Sequence, residues 1–381
     1  MSKKNILVIL ILSILQLSTS LTFFNNPYEP AFHKDKGDSE YENSGRKIGL
    51  TEKIKDHREF LNWASGDSMQ YFTIAIDEIE NSKVPYVYRF FYPKIIGHIS
   101  KIFTFESKES INYKDDLFKF TSFLSRFLNL LSCILLLIIP LICFQSLFFR
   151  SKSSVLASLI LTMNLVNPGN IISTSFFNLD LLNMVFFSLA AMFFYKKKIL
   201  LYLITFCFGI LIKEIAITLI IPFIFLLINE NKINLLKKVI FFLIPVIIFF
   251  TIRIYFSKTV FGLNIGQTGA TIELNALLKN GFSSFYYLKE VHFKSFEMFA
   301  IFLARSFFAI GFIILIAVYL RFELKINKEY FVVTSLVVLF LGIAVLLHAS
   351  GVVRTIQIAT PFIVFYSLSV IEKSLLIKNS T

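Results

Sequence analysis

The residues of this chain that are of a type and in a place to do chemistry fall in five short stretches. In Trp63-Ala64-Ser65-Gly66-Asp67-Ser68-Met69-Gln70-Tyr71 an acid follows a glycine. It precedes Tyr71-Phe72-Thr73-Ile74-Ala75-Ile76, a run that reads as an amphipathic helix lying at a membrane surface. Asp67 then stands at a helix N-terminus, where a carboxylate can accept a proton from an acceptor hydroxyl, hold a divalent metal or simply cap the helix. Pro85-Tyr86-Val87-Tyr88-Arg89-Phe90-Phe91-Tyr92-Pro93 sets Arg89 among aromatics. Its guanidinium either clamps a phosphate, or snorkels to the interface or stacks on the tyrosines with no ligand. Asn178-Leu179-Asp180 opens an apolar run, with Asp180 capping it or facing a cavity. Lys213-Glu214 interrupts an apolar stretch from about 199 to 229, where charges are costly unless paired or functional. A local Lys213 to Glu214 pair is one solution; Lys213 on an anionic lipid head group, oriented by Glu214, is the other. Last, His348, Arg354 and Gln357 precede Thr360-Pro361-Phe362, and Arg354 is a further candidate for holding phosphate.

Weaker candidates surround these. Arg126, Arg253 and Arg305 lie near the ends of apolar runs and are explained most simply by snorkelling. Asp77 and Glu78 offer a second carboxylate or form a solvated helix face. Cys133, Cys143 and Cys207 lie within apolar stretches and fit no CxxC or Cys/His metal pattern, so they read as buried thiols. No P-loop, GxSxG, HExxH or dinucleotide-binding fingerprint is present.

The elements that must position these residues are set by hydropathy. With 381 residues, 56% of them hydrophobic, and a mean hydropathy of +0.70, the apolar side chains exceed what one soluble core can hide. Apolar runs of spanning or near-spanning length occur at about 5–24, 119–148, 154–167, 176–195, 199–212, 214–229, 238–256, 298–320, 330–348 and 356–372. The formal charge of +13 sits in short basic clusters beside these runs, which reads as membrane topology and not as a nucleic-acid stripe. Arg150 and Lys152, Lys196 to Lys198, Lys232 with Lys237 and Lys238, Arg321 with Lys325 and Lys328, and Lys373 belong in the cytoplasm by the positive-inside rule. The alternate connections, 168–175, Lys213-Glu214, 257–297 and 349–355, then face outside.

The expected fold is an all-α polytopic membrane protein of about ten transmembrane helices, with an amphipathic helix in its first extracytoplasmic loop. Residues 1–24 read as an uncleaved N-terminal anchor starting in the cytoplasm, because no A-x-A-like site follows the run; the alternative is a secretory signal cleaved near the small residues Ser18-Thr19-Ser20. Residues 25–117 form the first outer loop, and 118–373 the multispanning domain with an outer loop at 257–297. Residues 374–381 are a cytoplasmic tail.

Taken in order, Gly66-Asp67-Ser68 with Tyr71 and Ala75, the segment from Pro85 to Pro93 around Arg89, Asn178-Leu179-Asp180, Gly209-Ile210-Leu211-Ile212-Lys213-Glu214 ahead of Pro222, and Arg354 before Pro361-Phe362 form an arrangement. It resembles that of the C-type glycosyltransferase superfamily, multispanning enzymes that take sugars from polyprenyl-phosphate carriers, such as protein mannosyltransferases and lipid A aminoarabinose transferases. The resemblance spans about 60 to 365. It implies a bacterial inner-membrane enzyme with its active site on the extracytoplasmic side, acting on a cell-envelope glycan, lipid or protein. Asp67 would be the catalytic acid-base group, and Arg89, Lys213 and Arg354 would hold the donor phosphate. Tyr71, Asp180, Glu214 and His348 would support them, and a divalent metal is compatible with this scheme. The chain departs from the protein mannosyltransferases in lacking an adjacent Asp-Glu pair in the first-loop motif and a large C-terminal soluble domain. The alternatives are a transporter or flippase of an anionic lipid or glycan, for which the same cations would line a path, and a non-catalytic membrane scaffold.

Overall fold

The computed structural model describes residues 67–79, 86–104, 113–147 and 179–261, together with 295–296, 361–362 and 365–366. Among these residues the fold is all helical, with no strand. The apolar runs at 5–24, 154–167, 298–320 and 330–348 lie outside the described residues, as do most of 356–372 and nearly all of the loop at 257–297.

Seven α-helices follow in order among the described residues: α1 (Asp67–Ala75), α2 (Phe91–Phe103), α3 (Tyr113–Leu147), α4 (Asp180–Tyr195), α5 (Ile199–Ile212), α6 (Ile220–Asn229) and α7 (Leu235–Phe261). Short 3-10 turns at Tyr86–Arg89 and Glu214–Leu219 lead into α2 and α6. Two stretches, Tyr113–Leu136 of α3 and Leu235–Phe256 of α7, are long and apolar enough to cross a membrane. On α7 the apolar residues Leu236, Val239, Leu243, Ile247, Phe250 and Ile254 stay exposed. That outward stripe is stable against lipid and costly in water, so these two helices point to a membrane protein.

Helices α3 to α7 share one core built on Phe187, Tyr202, Phe206, Leu219 and Phe223. Tyr202 stacks on Phe223 with ring centres 5.3 Å apart, and its hydroxyl donates to the Leu219 carbonyl at 2.8 Å, tying α5 to the irregular entrance of α6. The turn between α4 and α5 is only three residues long, Lys196 to Lys198, so the two helices run antiparallel. Lys197 there takes a left-handed backbone (φ 53°), closing α4 by hydrogen bonds from Lys197 N to Phe194 O and Lys198 N to Phe193 O.

A second core docks α1 and α2 on the bundle, joining Tyr71, Phe72, Ile74, Tyr92, Ile96 and Phe118 to Leu179 and Ile212. Phe72 meets Phe118 of α3 edge to face at 5.2 Å. Each such buried aromatic or aliphatic side chain contributes about 1.5–3 kcal/mol. The expectation that residues 71–76 lie amphipathically on a membrane is corrected here. Tyr71 to Ala75 are all buried, more than a full turn, which leaves no outward face. The amphipathic helix of this segment is α2, which buries Tyr92, Ile96, Gly97 and Ser100 and exposes Ile95, His98, Ile102 and Phe103. The two helices touch backbone to backbone: a Cβ on Gly97 would lie 1.9 Å from the Ala75 carbonyl oxygen. Only glycine allows that approach.

Candidate functional site

Helix α5 ends at Ile212 because Lys213 adopts an extended backbone (φ −153°, ψ 131°) before the chain resumes as a 3-10 turn. Successive side chains in extended backbone point to opposite sides. Lys213 and Glu214 accordingly take different ion-pair partners, although the Lys213 charge still acts on the Glu214 carboxylate. Lys213 pairs instead with Asp180 of α4, and Glu214 with Arg89.

Arg89 is the last residue of its 3-10 turn and is buried. Its Nε donates to Glu214 Oε2 at 2.7 Å, its Nη2 donates to Glu214 Oε1, and its Nη1 donates to the Tyr71 hydroxyl at 2.8 Å. This bidentate fork uses the planar geometry of the guanidinium. Burial would lower the Arg89 pKa, but the Glu214 carboxylate and Tyr71 more than offset it and hold Arg89 protonated, well above its ordinary range. Three of the five N–H donors of a guanidinium are thus directed at Glu214 and Tyr71.

Asp180 is the first residue of α4, preceded by a Leu179 N-cap that makes no side-chain cap bond. Its carboxylate accepts a hydrogen bond from Lys213 Nζ. A carboxylate in the first helical turn also opposes the helix dipole favourably.

Asp67 begins α1, one turn ahead of Tyr71. The structure therefore brings together Tyr71, Arg89, Asp180, Lys213 and Glu214, drawn from four separate stretches of sequence, with the start of α1 close to Tyr71. Arg354 and His348 lie outside the described residues. Among the described residues no three His, Cys, Asp or Glu side chains converge as metal donors. Cys133 and Cys207 are free thiols.

Two residues assigned to snorkelling are not at a surface. Arg126 of α3 and Arg253 of α7 are both buried. The Arg253 guanidinium carbon lies 5.1 Å from the Tyr88 ring centre and 4.5 Å from that of Phe249. A small, partly open cleft of about 10 Å³ adjoins it, lined by Tyr88, Ile210, Glu214, Phe249, Ile252 and Arg253. Arg253 thus joins the same group through Glu214 and Tyr88. The signal available in the sequence was its place four residues after Phe249, which puts both on one helix face.

At the opposite end of α4 to α7 lie the basic turns, Lys196 to Lys198 and Lys232 to Lys238. The charge network and the basic turns are separated by the length of the helices. Searches against known proteins return no match: no family model, no curated protein and no solved structure is similar to this chain.

Proposed function

We propose that the protein is a membrane glycosyltransferase that moves a sugar from a polyprenyl-phosphate carrier to an extracytoplasmic acceptor in a bacterial cell envelope. In this proposal about ten helices span the inner membrane, the N-terminus is cytoplasmic and the network around Glu214 faces outward. One observation carries it: charged residues from the first outer loop, from the start of α4 and from the break after α5 meet at one end of an apolar bundle, opposite the basic turns. Charges collected at one membrane face suit chemistry on an amphiphile whose polar group sits at that face.

In the proposed reaction an acceptor hydroxyl attacks the anomeric carbon of the donor sugar. Its proton passes to Asp67, the bond between that carbon and the phosphate oxygen breaks, and the electron pair leaves with the lipid phosphate. Lys213, held by Asp180, and Arg354 stabilise the departing phosphate. Arg89, with donors already directed at Glu214 and Tyr71, serves by fixing those two side chains.

The test is release or transfer of sugar from a panel of polyprenyl-phosphate sugars by detergent-purified protein, comparing wild type with Asp67→Asn. Transfer by wild type that is lost in the variant supports the assignment. Equal activity in both removes Asp67 from the mechanism, and wild type that neither binds polyprenyl phosphate nor turns over any donor overturns the proposal.

A further inference from the structure

Helix α2 has apolar residues on two faces. One, with Tyr92, Ile96 and Gly97, is buried against α1 and the bundle. The other presents Ile95, Ile102 and Phe103, which are 42%, 60% and 69% exposed, with the exposed His98 beside them, too large an apolar face to leave in water on a helix already anchored by its other side.

This second face continues onto α3. Phe103 stacks on Phe120 at 5.3 Å, Phe120 lies 6.5 Å from Phe123, and Phe123 stacks on Phe127 at 6.5 Å. Phe123, Phe127 and Leu131 are themselves exposed and run along the stretch of α3 that is long and apolar enough to cross a membrane. The contact with α2 falls at Phe120, directly after the charged start of α3 with its surface residues Lys114, Asp116 and Lys119, where polar surface gives way to apolar surface. Among the described residues nothing covers this face.

We infer that the outward face of α2 rests in the surface of a phospholipid bilayer, continuous with the lipid-facing side of α3. The attachment is apolar more than electrostatic. Lys94 and Lys101, which flank the face, share the single Asp77 carboxylate, so the three side chains together offer only one net positive charge to anionic head groups. Attachment therefore holds on zwitterionic phosphatidylcholine and survives high salt. The bilayer surface then sets the height of Gly97 and, through Ala75, of the helix carrying Tyr71. This inference does not depend on the sugar-transfer chemistry.

The experiment uses full-length protein in phosphatidylcholine vesicles, with the single tryptophan, Trp63, replaced by phenylalanine. Ile102→Trp and Phe103→Trp are introduced separately at these already exposed positions, with Phe127→Trp for comparison. Fluorescence is read in plain lipid and in lipid brominated near the glycerol end of its acyl chains. The expected result is quenching of all three, unchanged in high salt. Quenching of Phe127→Trp alone overturns the inference, and an Ile102→Cys disulfide between two copies would overturn it in favour of a protein partner. Absence of quenching at all three positions overturns it as well, because the face on α3 that it extends would not meet lipid.

Discussion

Arg89 and Glu214 neutralise each other where little water reaches, so the energetic consequence of removing either exceeds the net stabilisation by the pair. Glu214→Gln leaves a buried guanidinium without its counter-charge and is expected to destabilise by about 3–5 kcal/mol, read as a lower unfolding temperature in detergent. Arg89→Met with Glu214→Leu removes both charges and is expected to recover most of that loss; a double variant as unstable as the single one would show that the site needs the ions themselves. A second ion group, Asp77 with Lys101 and Lys94, is exposed and titrates. Partial burial pushes the Asp77 carboxyl up, but hydrogen bonds and charge from Lys101 and Lys94 outweigh it and hold its pKa below the usual range. The stabilisation is complete above the ordinary aspartate value of about 3.9 and is lost as the pH falls through the lower folded value. Wild type should therefore lose thermal stability over that acid window more steeply than Asp77→Asn; parallel curves would count against the linkage. At this scale the sequence made the charged residues legible and their partners not. Lys213-Glu214 stands out because it interrupts an apolar stretch, yet which carboxylate each cation meets depends on the extended backbone at Lys213 and on residues as far away as Arg89.

Between elements, the closest approach is that of α2 to the end of α1 at Gly97. Gly97→Ala places a methyl carbon inside the Ala75 carbonyl, and since both atoms belong to main chains neither can rotate away. The expected cost is about 1–3 kcal/mol or more, with the two helices pushed apart. Gly209→Ala comes tightly only against Ala216 Cβ, at 3.1 Å, with Phe186 and Leu219 at ordinary contact distance, and should be tolerated better, so equal damage from the two would refute this account. Helix positions were legible where hydropathy changes sharply: the run at 199–212 coincides with α5 because Lys198 and Lys213 bound it. The start of α3 at Tyr113, before the apolar run at 119, was not, because Tyr-Lys-Asp-Asp is helix-compatible but polar. Nor was the burial of α1. Its Tyr71 to Ala75 segment looks half-polar in isolation, and the apolar surface that encloses it comes from Tyr92 and Ile96 of α2, Phe118 of α3, and Leu179 and Ile212, which are distant in sequence.

For the whole molecule, the antiparallel order of α4 to α7 divides the charges between two ends, and the proposed topology turns that division into an accessibility difference. In a background without native cysteines, Lys114→Cys should react with an impermeant thiol reagent in intact cells. Lys237→Cys should react only after permeabilisation, and equal reactivity would contradict the proposed alternation. The two halves of the Arg89 to Glu214 pair lie 125 residues apart. A ribosome adding about 5–20 residues per second needs roughly 6–25 s to pass from one to the other. Through that interval the newly made segment of α1 and α2 has its arginine but not the glutamate that receives it, and Leu179 and Ile212 are likewise still to be made. The earliest-synthesised part of this region is therefore the last to settle, and during biogenesis it stays open to proteases and chaperones until the break after α5 has emerged.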